Sequence, residues 1–202
     1  KFSDPRQDLL LSETIASLKS AKYINKIYLI TFDLELGERY EVESIDRSTI
    51  PDEDTSSLDH IVKHALIEIE KKQFFPDRIV SVNYDYEERP IDFLDELVSE
   101  AQYKGLDTAF AALESYTHIW YENEEGTFGA TDRSLGQRSD RSPVYQALYG
   151  QGCISSSVNV RRGQLLGGKI GILPLNDPRF QKRYISFLDN NEIVVRRSEA
   201  HA

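Results

Sequence analysis

A single cysteine, Cys153, in 202 residues excludes an internal disulfide and leaves no thiol partner for a zinc knuckle. No apolar stretch approaches the roughly 18 to 20 residues of a membrane span, and no short apolar segment behind a charged leader opens the chain. A cytoplasmic protein with no membrane partner is the expectation. Basic residues are in the minority: 24 Lys and Arg against 34 Asp and Glu give a net charge of −10. That is the wrong sign for a protein that grips phosphate backbones through its overall field, so nucleic acid is disfavoured as a partner. Methionine is absent, and the chain opens on Lys1. What is present is a 40% share of hydrophobic residues, enough for a core, over the length of one large domain spanning residues 1–202.

Leu11, Ile15 and Leu18 recur at helical spacing ahead of the β-prone run Lys26 to Thr31. Thr55 or Ser56 can cap a helix whose stripe is Leu58, Ile61, Val62, Ala65, Leu66 and Ile69. Arg78 to Asn83 reads as a second strand; Pro90 suits a first helical turn ahead of Leu94, Leu97, Val98 and Ala101, and Gly105 closes that helix. With Asp107 to Ala112 as a third strand, the first half alternates helix and strand, as parallel strands covered by helices require. The second half is β-rich. Strands are expected at Thr117–Tyr121, Cys153–Val160, Lys169–Leu175 and Glu192–Arg196, with one short helix over Pro178–Phe187. The fold class is therefore α/β, with a mixed, mainly parallel sheet flanked by helices.

Gly163 to Lys169 (GQLLGGK) imitates the spacing of a phosphate-binding loop, but Ile170 stands where a hydroxyl is needed and a strand follows where a helix is needed. A hairpin or bulge is the better reading. His60, His64 and Glu68 share one helix face away from the apolar stripe, which marks a solvated face rather than a metal site. More informative is Val82 to Pro90 (VNYDYEERP), a carboxylate-rich loop leaving the C-terminal end of a buried strand, the edge at which open α/β sheets bind ligands. Asp85 there suits a hard divalent cation, Asn83 a base or sugar, and Arg89 a phosphate. Arg133, Arg138, Arg141, Arg161, Arg162 and Lys169, with Tyr145 and Tyr149, concentrate basic and aromatic character in the second half. Arginine grips carboxylate or phosphate bidentately, which favours a small acidic substrate or a nucleotide.

Taken in order, these features resemble the acylneuraminate cytidylyltransferases (CMP-sialic acid synthetases), a family with a GT-A-like nucleotidyltransferase fold. The resemblance covers roughly Asp8 to Tyr184. It rests on Leu10 to Thr31, on Asp54 to Leu66 (DTSSLDHIVKHAL), on the loop and helix Val82 to Leu97, and on the Pro-x-Tyr, glycine and strand segment Arg141 to Arg161. It implies transfer of CMP from CTP to an acidic, sialic-acid-like sugar with release of pyrophosphate, Mg2+ as cofactor and a homodimer. By that resemblance Asp85 and Arg89 are the catalytic pair and Asp85 and Asp189 hold the metal. Asn83, Asp33 and Lys1 line the nucleotide, and Arg141, Tyr145 and Arg161 face the sugar. The chain departs from the pattern in three places: the initial strand with its glycine-rich basic loop, of which Lys1 would be the last remnant; the late Asp-x-Asp pair, approximated by Asp189 and Glu192; and the Gln-Pro-Thr-Ser-Pro form of the loop after the central strand. Those departures leave open a catalytically degenerate binding or assembly module on the same fold, and a related GT-A glycosyltransferase.

Overall fold

Asp4 starts the first helix: its carboxylate accepts the Arg6 N–H at 2.9 Å, and Pro5, which has no N–H to satisfy, takes the first helical position. Helix α1 (Pro5–Ser20) buries Leu10, Leu11, Ile15 and Leu18 and leads into β1 (Tyr28–Thr31). The computed structural model describes residues 4–50, 57–130, 141–189 and 192–197, with side chains as far as Tyr184. After β1 come α2 (Glu35–Tyr40) and β2 (Glu43–Asp46), which pairs parallel with β1. Sequence patterning missed both, because six residues with one buried leucine and four with one buried isoleucine are too short to show a period.

Helix α3 (Leu58–Lys71) is capped by Ser57, one residue past the expected Ser56; Thr55 and Ser56 lie outside the described residues. Strand β3 (Arg78–Ser81) follows, then α4 (Phe93–Tyr103), closed by Gly105 at φ +58. Pro90 is not in the first turn of α4, which begins three residues later. The long strand β4 (Thr108–Ser115) organises the sheet. β8 (Cys153–Ser156) pairs antiparallel with both β3 and β4; β7 (Val144–Ala147) continues antiparallel along the same edge of β4, and β9 (Ile170–Pro174) pairs parallel along the other. The sheet is mixed, as expected, with β3, β4 and β9 sharing one direction.

Along β4 the side chains alternate between two layers, as the pleat dictates. Ala109 and Ala111 face the cluster built on Leu18 of α1 and on Phe93, Leu94 and Leu97 of α4. Phe110 and Ala112 face the opposite side with Cys153, where Val62 and Leu66 of α3 pack on Val160 of α5 (Ser157–Arg161). The expected strand over Cys153–Val160 is thus a strand that turns into a helix at Ser156, whose hydroxyl accepts the Asn159 N–H at 3.3 Å. The helix expected over Pro178–Phe187 is only a 3-10 turn at Pro178–Gln181, because from Tyr184 the chain enters β10 (Tyr184–Asp189), which forms a hairpin with β11 (Glu192–Arg197). Another hairpin, β5 (Trp120–Glu122) with β6 (Phe128–Ala130), replaces the single strand expected at Thr117–Tyr121.

Candidate functional site

In an open α/β sheet the C-terminal ends of the parallel strands form the ligand-binding edge. Ser81 of β3 and Phe110 of β4 both stand opposite Cys153 of β8, so the two strands are level there; β3 ends at Ser81, whereas β4 runs on for five residues to Ser115. Beyond Ser81 the β7–β8 connection, residues 148–152, folds between the loop after β3 and the middle of β4. It is tied to β4 by Leu148 N–H to Ala111 O (2.8 Å) and Ala111 N–H to Gly152 O (3.1 Å), and to the β3 loop by Asn83 N–H to Gly150 O (2.8 Å). Gly150 is required for that approach: a Cβ there would lie 2.5 Å from Cε2 of Tyr86 and 3.0 Å from Cβ of Asn83.

Arg89 fastens this junction. Its guanidinium donates to Gln151 O (3.0 Å), Asn83 O (3.0 Å), Gly150 O (3.3 Å) and Thr14 Oγ1 of α1 (3.3 Å). Burial pushes its pKa down to about 10, against the opposing pull of Asp85. Gln151, fully buried, donates from one amide nitrogen to Glu88 O (2.7 Å) and Phe180 O (2.6 Å). Residues 85–87 then pair with 182–184 through Tyr184 N–H to Asp85 O (2.7 Å) and Glu87 N–H to Lys182 O (3.0 Å). The result is a β3 loop fixed from α1, from the β7–β8 connection and from the segment before β10.

Within that frame Asp85 has two unlike oxygens. Oδ2 accepts from Arg183 Nε at 2.7 Å and from Arg183 Nη2, whereas Oδ1 is buried and, among the described residues, has no hydrogen-bond partner. A buried carboxylate oxygen without a partner is costly unless a cation or donor meets it. Asp85, Asn83 and Tyr84 line one part of a cavity of about 940 Å3 that also runs between β1 and β3. The Tyr84 phenol is pushed up by burial and then by the neighbouring Asp85; Tyr86 is pushed up by burial, with Arg183 opposing.

The other expected site residues fall as follows. Asp33 lies just after β1, where Oδ1 accepts the Glu35 N–H at 3.2 Å, and Leu36 and Tyr84 pack in one cluster with Leu11 and Ile15, which brings this turn to the same end of the sheet as Asp85. Arg141 donates to Tyr116 O at 3.2 Å, and Tyr145 stands opposite Glu114, both at the C-terminal end of β4. Arg161 is separated from them: α5 follows β8 at the N-terminal end of β4, and Arg161 is ion-paired with Glu70 of α3 (Nε 2.9 Å, Nη2 2.6 Å). Lys1 lies outside the described residues, as does the side chain of Asp189. The backbone of Asp189 is five residues along β10 from Tyr184, about 17 Å at the rise of a strand. Among the described residues no three His, Cys, Asp or Glu side chains group as a metal cluster. His64 meets Thr49 Oγ1 at 2.7 Å and Glu68 pairs with Lys71 at 2.6 Å, in keeping with a solvated face. The GQLLGGK segment is a loop from α5 into β9, with positive φ at Gly163 and Gly168; because a helix precedes it, it is neither the expected hairpin nor a bulge, and the strand after it keeps it from being a phosphate loop. Sequence reasoning did not find Thr14, Gln151 or Arg183; they lie 75, 62 and 98 positions from the residues they touch, so no local spacing announces them.

In sequence, neither a protein-family profile nor a curated protein matches the chain. In structure it is similar to a 4-diphosphocytidyl-2C-methyl-D-erythritol synthase, with TM-score 0.58 and 11% identity over 85% of this chain and 82% of the other. It is similar also to a CMP:2-keto-3-deoxy-manno-octonic acid synthetase solved in complex with CTP (TM-score 0.56, 9% identity, 83% and 79% covered). A 4-diphosphocytidyl-2C-methyl-D-erythritol synthase from Anaerococcus prevotii gives TM-score 0.56 at 8% identity, over 85% and 78%. The chain has the α/β fold of these nucleotidyltransferases. No helix among the described residues is long and apolar enough to cross a membrane.

Proposed function

We propose that the chain is a cytidylyltransferase that joins CMP from CTP to an acidic sugar and releases pyrophosphate. The observation that carries this reading is Asp85, just past the C-terminal end of β3: one carboxylate oxygen is held by Arg183 and the other is buried and, among the described residues, unpartnered. The names of the similar structures, each a cytidyl or CMP synthase, one with CTP bound, support the choice of nucleotide. The site also fits Mg2+, which binds through one or two carboxylates and completes its shell with water and substrate phosphates. Asp85 Oδ1 would hold the ion, which would supply charge neutralisation at the phosphates.

The chain's own residues then divide the work. Asn83, fixed through its backbone to Gly150 and Arg89, and the Asp33 turn would line the nucleotide. Arg141 and Tyr145, at the level of the β4 terminus, would receive the sugar carboxylate. The sugar hydroxyl oxygen forms the new bond to the α-phosphorus as the α–β bridging oxygen leaves with pyrophosphate and the hydroxyl proton passes to water, so positioning and charge stabilisation provide the rate. Arg89 positions the loop through the carbonyls it binds, and Arg161, at the other end of β4, is left out of this site. The test is pyrophosphate release from CTP with a panel of 2-keto sugar acids. Turnover abolished by Asp85→Asn in a protein that still folds supports the reading, and turnover undiminished in that variant removes Asp85 from it.

A further inference from the structure

Asp85 stands among balanced charges. Arg183 binds its Oδ2 through Nε and Nη2, and the buried guanidinium of Arg89 lies near enough to attract it as well. Asp4, whose charge also reaches Tyr84, faces Tyr184 Oη (2.8 Å) and the Arg6 N–H (2.9 Å), while Arg6 and Glu87 pair with each other at 3.8 Å. The two aspartates thus only match the two guanidiniums. Among the described residues no two further His, Cys, Asp or Glu side chains join Asp85 in a metal-binding group. A bare divalent cation meets no net negative field here, whereas a cation carried by a triphosphate brings its own counter-charge.

The ion pair between Arg183 and Asp85 is not what docks the chain around it. Residues 182–184 are already held on the β3 loop by backbone pairing: Tyr86 and Arg183 form an antiparallel bridge, Tyr184 N–H donates to Asp85 O at 2.7 Å, and Glu87 N–H to Lys182 O at 3.0 Å. The backbone of Arg183 is therefore fixed whatever its side chain does. That side chain is 44% exposed, and an ion pair so open to water contributes little stability. Its Nη1 has no partner among the described residues, and its guanidinium lies 5.6 Å from the Tyr86 ring centroid. A fixed base with an exposed, partly unused head can exchange one anion for another beside Asp85.

We infer that Arg183 couples cation to nucleotide: its guanidinium holds Asp85 until nucleotide binds, then passes to the triphosphate as Oδ1 takes the cation. Arginine grips phosphate in the same two-pronged way as carboxylate, so the exchange sacrifices no charge-assisted hydrogen bond. Arg183 shields Asp85 from bare cations and positions the phosphates that arrive with one. This rests on the reading of Asp85 as the cation ligand proposed above.

Mn2+ serves as the probe, because it takes the same oxygen ligands as Mg2+ and its free fraction is read by electron paramagnetic resonance. The full chain, Arg183→Gln and Arg183→Lys are titrated with Mn2+ alone and with CTP in the presence of Mn2+, and the urea midpoint of each checks folding. Arg183→Gln should bind Mn2+ alone about tenfold or more tightly, and CTP with Mn2+ about tenfold or more weakly, at a urea midpoint near that of the wild type. Arg183→Lys keeps the charge, so it should leave the affinity for Mn2+ alone unchanged and recover part of the CTP binding. A merely structural role does not move the two affinities in opposite directions. Affinities that move together, stay unchanged or change singly in Arg183→Gln overturn the inference, as does a lysine variant that behaves like the glutamine one. Wild-type protein that binds no CTP, or Asp85→Asn that binds it as tightly, removes the reading of Asp85 and this inference with it. Wild-type binding that needs Asp85 but shows no crossed effect removes this inference alone.

Discussion

Replacing Arg89 by methionine removes a buried charge and four hydrogen bonds while keeping most of the side-chain volume. Two of the acceptors, Asn83 O and Gln151 O, meet the guanidinium at 3.0 Å; Gly150 O keeps the Asn83 N–H at 2.8 Å, and Thr14 Oγ1 can rotate to another partner. Two carbonyls are therefore left in a buried junction without their donor, at about 1 to 3 kcal/mol each. Against this stands relief from holding a desolvated guanidinium, whose pKa of about 10 shows that burial opposes its charge. The net expectation is a loss of about 2 to 3 kcal/mol, read as a lower urea midpoint at unchanged slope. Arg89→Lys should lose a comparable amount, since one ammonium cannot reach carbonyls on both Asn83 and Gln151 together with Thr14. A loss under about 0.5 kcal/mol for the methionine variant, accompanied by weaker nucleotide binding, would refute the reasoning and return Arg89 to the phosphate.

Gly150→Ala places a methyl group 2.5 Å from the Tyr86 ring and 3.0 Å from Asn83, so it should destabilise by about 1 to 3 kcal/mol in the same urea assay and shift the exchange of the Asn83 amide. Tyr84 and Tyr86 have folded pKa values raised above 10.0, so between the unfolded and folded values the folded state binds more protons. Their contribution to stability is complete below about pH 10 and is lost as pH rises through the folded values. Absorbance titration should accordingly show a late tyrosine fraction, and Tyr84→Phe should flatten the alkaline decline in stability.

How much of this was legible in the sequence depends on the range of the interactions. Helices α3 and α4 carry stripes long enough to reveal their period, and Ser57 and Gly105 close them by local chemistry. The loop from Val82 to Pro90 announced itself by its composition and its place after a strand. Arg161 looked like a partner of Arg141 because both are basic and both belong to one half of the chain, yet the antiparallel run of β8 carries α5 to the opposite end of β4. Arg89 looked free for a phosphate because three of its acceptors are backbone carbonyls, which any residue presents and no side-chain pattern encodes. Arg183 pairs with Asp85 only because residues 182–184 return to the β3 loop, a contact set by topology.

The central claim is that the Asp85 end of the sheet binds CTP with a divalent cation. A thermal-shift titration of the chain with Mg2+ and each of CTP, UTP, GTP and ATP tests it without choosing a sugar. At a CTP concentration about one hundred times its dissociation constant, mass action stabilises the folded state by about 2.7 kcal/mol, a rise of roughly 5 to 10 °C for a domain of this size. The account predicts a CTP-selective rise that needs Mg2+ and disappears in Asp85→Asn. The same rise with all four nucleotides, or one that persists in Asp85→Asn, would contradict it.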